Sequence, residues 1–207
     1  IALFDDFSGQ THLIRDRLGI KPLYYMLHKN QFILASEIKG IFGAVSEKKW
    51  HIDETGLSQF MTYQTPLNGR TLFSKVKQLQ PGCILTLETH RLKEYVINKY
   101  WTPEQNIDKS LTFSKASAHF GDVLKDSVER HLLSHVPVAA YLSAGFDSSS
   151  VASQASALRK NRLHAYTGWF EDQGNWYDES KIALEAVENF KGVHNPVRIN
   201  GNDFENY

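Results

Sequence analysis

Ser143, Asp147, Ser148 and Ser149 fall within one short stretch, Leu142-Ser143-Ala144-Gly145-Phe146-Asp147-Ser148-Ser149, whose residue types and spacing suit phosphate binding. Small residues at 143, 144 and 145 let the backbone approach an anion closely. The hydroxyls of Ser143, Ser148 and Ser149 can donate further hydrogen bonds. Asp147 would repel a bare phosphate, so its carboxylate makes sense as a magnesium ligand. Taken by themselves, the same residues read at least as well as a turn and a helix cap, because Ser and Asp are the usual caps and Gly the usual turn residue. The stretch has neither the lysine of a Walker loop nor the spacing of a dinucleotide fingerprint.

The flanking segments must position this stretch. Val136 to Leu142 is a near-continuous apolar run, which predicts a strand buried on both faces of a parallel sheet. Ser148 to Leu158, rich in Ala and Ser, predicts the helix that follows. Ligands of open parallel sheets sit at the carboxyl ends of the strands, and a helix starting there aims unpaired N–H groups and a partial positive charge at them. Leu163 to Phe170 predicts a second strand and Asp178 to Phe190 a second helix, with Ile182, Ala183, Ala186 and Val187 inward. An earlier helix over Phe113 to Leu133 carries Phe120, Val123, Leu124, Val128 and Leu132 at helical spacing. This alternation defines an α/β domain over 112–207. Residues 102–111 are polar and aperiodic and read as a linker.

Residues 1–101 have a different grammar. Short apolar runs at 1–4, 13–14, 23–27, 32–35 and 84–87 alternate with turn residues, among them Gly19, Pro22, the Lys29-Asn30-Gln31 group and Pro81-Gly82. Arg91 to Tyr100 is one further strand candidate. Short helices are expected at 36–42 and at 53–63, the latter capped by Asp53 with Leu57, Phe60 and Met61 on one face. Arg15, Asp16 and Arg17 read as an ion-paired cluster under the turn at Gly19 and Pro22, in a structural rather than a catalytic role.

Composition narrows the function classes. The 23 basic and 23 acidic residues give a formal net charge of zero, which argues against a nucleic-acid partner. With one cysteine, Cys83, no disulfide can form within the chain, and the residue reads as a small core side chain. No apolar stretch is long enough to span a bilayer and no signal peptide opens the sequence, which predicts no membrane partner and a cytoplasmic protein. The nine histidines show no metal-ligand spacing. Both ends, at Ile1 and at Tyr207, read as cut or processed.

Ser143 to Ser149 resembles the SGGxDSS pyrophosphate loop of the ATP-pyrophosphatases, and Val136 to Leu142 with Glu129-Arg130 resembles the stretch preceding it in asparagine synthetases. Ala144 replaces the first loop glycine, and His135 stands where the family usually has Asp. Ala165-Tyr166-Thr167-Gly168-Trp169-Phe170 resembles the second strand of that domain, where backbone at Thr167 would contact adenine; by itself it reads as a buried strand. Asp178-Glu179-Ser180 resembles the start of the next family helix, although an N-cap with acidic residues in the first turn is the stronger reading. Arg15 to Tyr25, RDRLGIKPLYY, closely resembles the signature of class II glutamine amidotransferases, and Ala35-Ser36-Glu37-Ile38-Lys39 the segment after it. Arg70-Thr71-Leu72-Phe73 and Leu79-Gln80-Pro81-Gly82 resemble further marks of glutamine-hydrolysing asparagine synthetases.

The resemblance implies the C-terminal part of an Ntn-type glutaminase αββα sandwich over 1–101, joined to the start of a parallel-sheet ATP-pyrophosphatase domain over 112–207. It implies ATP and Mg2+ as cofactors, with ATP held by Leu142, Ser143, Ala144, Gly145, Phe146, Asp147, Ser148, Ser149 and Thr167, and the metal by Asp147. Aspartate, glutamine and ATP are the implied small-molecule partners, and a homodimer is the candidate assembly. The family's nucleophile is an N-terminal cysteine whose own α-amine acts as base, and Ile1 is not that residue. The family's second phosphate loop has no counterpart in the chain. Two alternatives stand beside this reading: a diverged amide-forming enzyme of β-lactam synthetase or lasso-cyclase type, and a non-catalytic binding module.

Overall fold

The computed structural model describes residues 1–45, 49–104, 107–170 and 178–205. The chain is a mixed α/β protein that divides into two compact units, Ile1–Asn106 and Ile107–Tyr207.

The first unit stacks two antiparallel sheets. One has the order β1-β2-β6-β7, built from β1 (Ala2–Asp5), β2 (Gln10–Ile14), β6 (Cys83–Glu88) and β7 (Val96–Lys99). The other has the order β4-β3-β5, built from β3 (Tyr24–His28), β4 (Gln31–Ala35) and β5 (Lys77–Gln78). Strand alternation does the sorting. Cys83, Leu85 and Leu87 of β6 are buried while Ile84, Thr86 and Glu88 turn the other way, so Cys83 is a core residue as expected. On β3, Tyr25 joins Leu13, Leu23, Leu79 and Leu85 between the sheets. Its neighbour Met26 faces the opposite side, where it packs with Ile41, Val45 and Val76 under α1 (Ile38–Ala44). Tyr25 stacks on Phe32 at 5.6 Å, and Phe42 lies 4.2 Å from Trp50 and 4.7 Å from Phe73.

The second helix of this unit, α2 (Glu54–Tyr63), starts where expected: Asp53 is its N-cap, and its carboxylate accepts from the Gly56 N–H at 2.8 Å. Its inward residue differs from the expectation. Gly56 is buried, whereas Leu57, Phe60 and Met61 are exposed. The reason is proximity, since a Cβ on Gly56 would stand 2.3 Å from the Thr71 carbonyl oxygen. Backbone-to-backbone packing, not an apolar stripe, seats this helix. Only 96–99 of the segment 91–100 forms a strand; Arg91 and Glu94 stand in a hydrogen-bonded turn.

The second unit is a parallel three-stranded sheet of order β10-β9-β8, with β8 (Ala139–Tyr141), β9 (His164–Phe170) and β10 (Val193–Ile199). Helices α3 (Phe113–His131), α4 (Phe146–Ala157), α5 (Ser180–Asn189) and the short α6 (Gly201–Glu205) accompany it. The core gathers Val128, Leu142, Ala152, Ala155, Leu163, Ala165, Ala183 and Val187. Alanines at four of these positions let helix and sheet backbones approach closely.

Parallel pairing of the strand before the loop was expected, but burial on both faces was not realised. Among the described residues β8 is one of the two edge strands, Tyr141 is 93% exposed and Val136 also lies at the surface. An apolar run specifies a strand without specifying its place in the sheet. On α5, Ala183 and Val187 are buried and Ala186 packs against them, while Ile182 faces out. On α3, Val128 is buried with Leu124 and Leu132 beside it, whereas Phe120 and Val123 are exposed. The loop helix α4 begins at Phe146, two residues before the expected start at Ser148.

Candidate functional site

The loop leaves the sheet at Leu142, which is buried and extends the β8–β9 ladder by donating its N–H to the Tyr166 carbonyl at 2.8 Å. Gly145 caps α4 in extended backbone, φ −73° and ψ 151°, and the first helical bond runs from the Ser149 N–H to the Gly145 carbonyl at 3.2 Å. The loop therefore sits at the carboxyl end of a parallel strand and at a helix N-terminus. Neither Ala144 nor Gly145 adopts a positive φ among the described residues, so the alanine at 144 carries no backbone strain.

Ser148 organises the turn. Its Oγ lies 2.8 Å from Ser143 Oγ, accepts from the Ser143 N–H at 3.3 Å, and donates toward the Ser143 and Gly145 carbonyls at 3.1 and 3.2 Å. Ser143 Oγ accepts from the Gly145 N–H at 3.2 Å. The Ala144 N–H donates to Glu179 Oε2 at 3.1 Å. Asp147 lies exposed in the first turn of α4, and Phe146 is 83% exposed. Among the described residues no group of three or more His, Cys, Asp or Glu could hold a metal by itself. A single loop carboxylate such as Asp147 suits magnesium, which binds through one or two carboxylates plus phosphate oxygens and water.

Ser143, Ala144, Gly145 and Ser148 are thus joined in one hydrogen-bonded turn, with Asp147 and Ser149 on the helix beside it. Thr167 stands one residue past the Tyr141–Tyr166 pair, level with the start of the loop. It is 1% exposed, and its hydroxyl lies 3.1 Å from His194 Nε2, so the side chain is committed to the sheet.

Sequence reasoning placed Glu179 only at a helix start and missed its contact with the loop. Glu179 occupies the N-cap position of α5 but makes no cap bond with its side chain. Asp178 accepts from the Ser180 N–H at 2.9 Å, and bonds to Ser180 hold its carboxyl below the ordinary value of 3.8. The signal was topological: turns that follow neighbouring parallel strands share one edge of the sheet, however far apart they lie in sequence.

In the first unit the motif at 15–25 is built on backbone. The buried Arg15 guanidinium donates to the carbonyls of Lys21 at 3.2 Å, Leu79 at 2.5 Å and Gly19 at 2.8 Å. Asp16 accepts from the N–H groups of Ile20 and Lys21 at 2.9 and 3.0 Å, and these bonds hold its carboxyl below 3.8, with Arg15 a smaller cause. The expected ion-paired cluster is therefore chiefly a set of charge-to-backbone bonds. Gly19, at φ 68°, is required: its Cβ would lie 2.7 Å from Pro81 Cγ. A cleft of about 720 Å³ opens beside this turn, lined by Ile14, Asp16, Leu18, Ile20, Lys21 and Trp101 among others.

Comparison with known proteins places these features in a lineage. Residues 1–101 match the glutamine amidotransferase domain and residues 119–207 match asparagine synthase. The protein is of the class that joins an amidotransferase domain to a synthase domain. Glutamine-hydrolysing asparagine synthetase 3 of Bacillus subtilis is 32% identical over 186 residues, covering 86% of this chain and 29% of that protein. Glutamine-hydrolysing asparagine synthetase 1 of the same organism is 32% identical over 190 residues, covering 88% of this chain and 28% of the relative. Amidase chry2 of Gibberella zeae is 31% identical over 208 residues, covering 93% of this chain and 30% of the relative. The chain belongs to the glutamine-hydrolysing asparagine synthetase family, and it spans less than a third of the length of these three relatives.

Proposed function

We propose that this chain is the junction of a glutamine-hydrolysing asparagine synthetase. Residues 1–101 form the C-terminal part of an Ntn-type glutaminase sandwich, 102–111 the linker, and 112–207 the beginning of an ATP-pyrophosphatase domain. The observation that carries this reading is the turn 142–149, held by Ser148 between a parallel strand and a helix N-terminus in the asparagine synthase segment. In the whole enzyme an aspartate β-carboxylate oxygen attacks the α-phosphorus of ATP, giving β-aspartyl-AMP and releasing pyrophosphate. Ammonia from glutamine then attacks the acyl carbon and AMP leaves, giving asparagine.

Within this chain, the amides and hydroxyls around Ser143, Ala144, Gly145, Ser148 and Ser149 hold the pyrophosphate group, with Leu142 and Phe146 framing the turn. Asp147 holds Mg2+, and backbone at Thr167 meets the adenine. We place the enzyme in the cytoplasm, acting on small molecules, with a homodimer as its assembly. Among the described residues no helix is long and apolar enough to cross a membrane.

The test is MgATP binding to the full-length protein by titration calorimetry. Asp147→Ala is expected to weaken binding by about tenfold or more, the worth of one lost charge-assisted contact. Unchanged affinity refutes the assignment. A second reading, a diverged ATP-dependent amide former, is favoured by Ala144 in the glycine position and by the amidase-named relative. AMP release that depends on a substrate other than aspartate would support it.

A further inference from the structure

Three amides of the phosphate turn have acceptors within the protein. The N–H groups of Ser143 and Gly145 donate to Ser148 Oγ and Ser143 Oγ, and that of Ala144 donates to Glu179 Oε2. The first two acceptors are hydroxyls, which can rotate and present a proton to an incoming anion. The third is a carboxylate, which can only accept. It occupies the N–H that a phosphate oxygen would take, and its charge opposes the arrival of that oxygen.

We propose that Glu179 is an internal occupant of the phosphate site, holding the Ala144 amide in the free protein and giving way when a phosphoanion binds. The inference rests on the phosphate-turn reading above. Glu179 is free to move in the sense that matters: its side chain makes no bond to the first turn of α5, where Asp178 accepts from the Ser180 N–H instead. Its departure exposes no amide of its own helix. Binding is then an exchange of one anion for another. That favours a ligand of higher charge, such as the pyrophosphate portion of a nucleotide, over singly charged anions.

The experiment titrates the full-length protein with inorganic pyrophosphate and with MgATP. Glu179→Gln and Glu179→Ala are compared with Glu185→Gln, a surface charge on the same helix. Both substitutions at 179 are expected to tighten pyrophosphate binding roughly five- to tenfold, the effect of removing one charge-assisted competitor. Glu185→Gln is expected to leave it unchanged. A merely structural anchor would give the opposite sign, because loosening the turn weakens binding. Equal or weaker binding in both 179 variants, with wild type still binding, overturns the role of Glu179 and leaves the phosphate turn standing. Equal tightening by Glu185→Gln also overturns it, in favour of a general charge effect. Failure of every form to bind either probe overturns the phosphate-turn reading itself.

Discussion

Replacing Arg15 by methionine removes the guanidinium on which the carbonyls of Gly19, Lys21 and Leu79 converge. Hydrogen bonds to a charged group contribute about 1.5–3 kcal/mol each, and a buried carbonyl left without a partner costs about 1–3 kcal/mol. Water can replace the two partly buried bonds, to Lys21 and Gly19, but the bond to Leu79 is buried. Methionine also spares the cost of burying a charge, which returns part of the loss. The net expectation is about 3 kcal/mol. A domain of this size has only about 5–15 kcal/mol in total, and each kcal/mol moves the midpoint by about 4–8 °C. Scanning calorimetry should therefore show the transition of the first unit falling by about 12 °C or more. Arg15→Lys keeps the charge but replaces the fork with a point donor, and should fall between the two. It supplies the measurement if the methionine form does not fold. A fall of less than about 4 °C for Arg15→Met would refute the view that this side chain is the internal scaffold of the turn.

Gly56→Ala sets two effects against each other: helix propensity favours alanine by about 1 kcal/mol, whereas overpacking costs about 1–3 kcal/mol. The added methyl would meet backbone, the Thr71 carbonyl oxygen at 2.3 Å, which has little room to give. The steric cost should win, and the urea midpoint should fall; an equal or higher midpoint would contradict this. Acid should also destabilise the protein. Asp53 is held below 3.8, first by the Gly56 N–H and then by Arg70, and Asp16 and Asp178 are depressed by their own hydrogen bonds. A depressed folded value means that the stabilisation is present above 3.8 and is lost as pH falls through the folded value. The midpoint should hold down to about pH 5 and drop below about pH 4, with a shallower drop in Asp53→Asn. A flat profile to about pH 3 would contradict it.

What the sequence made legible was local. The alternation of β6 showed in Cys83, Leu85 and Leu87, and the Asp53 cap showed in its residue type and position. The strand–turn–helix setting of 142–149 followed from an apolar run, a cluster of small residues and an Ala-rich segment. What escaped depended on neighbours distant in sequence. Nothing in Val136 to Leu142 says that β8 pairs with β9 alone among the described strands, because the number of pairing partners leaves no mark on the run itself. Glu179 lies 35 residues from the amide it holds, and Arg15 selects backbone carbonyls, whose side chains carry no trace of the choice. Leu57, Phe60 and Met61 repeat at helical spacing, yet the contact that seats α2 is made by a residue with no side chain.

The hairpin β3–β4 leaves a further consequence. Tyr25 and Phe32 look into one apolar compartment while their neighbours Met26 and Ile33 look into the other. The ribbon is a shared wall, papered on both sides, and neither room can be redecorated alone. Thinning the packing on either side withdraws support from the other, so the first unit has no half that stands without its counterpart.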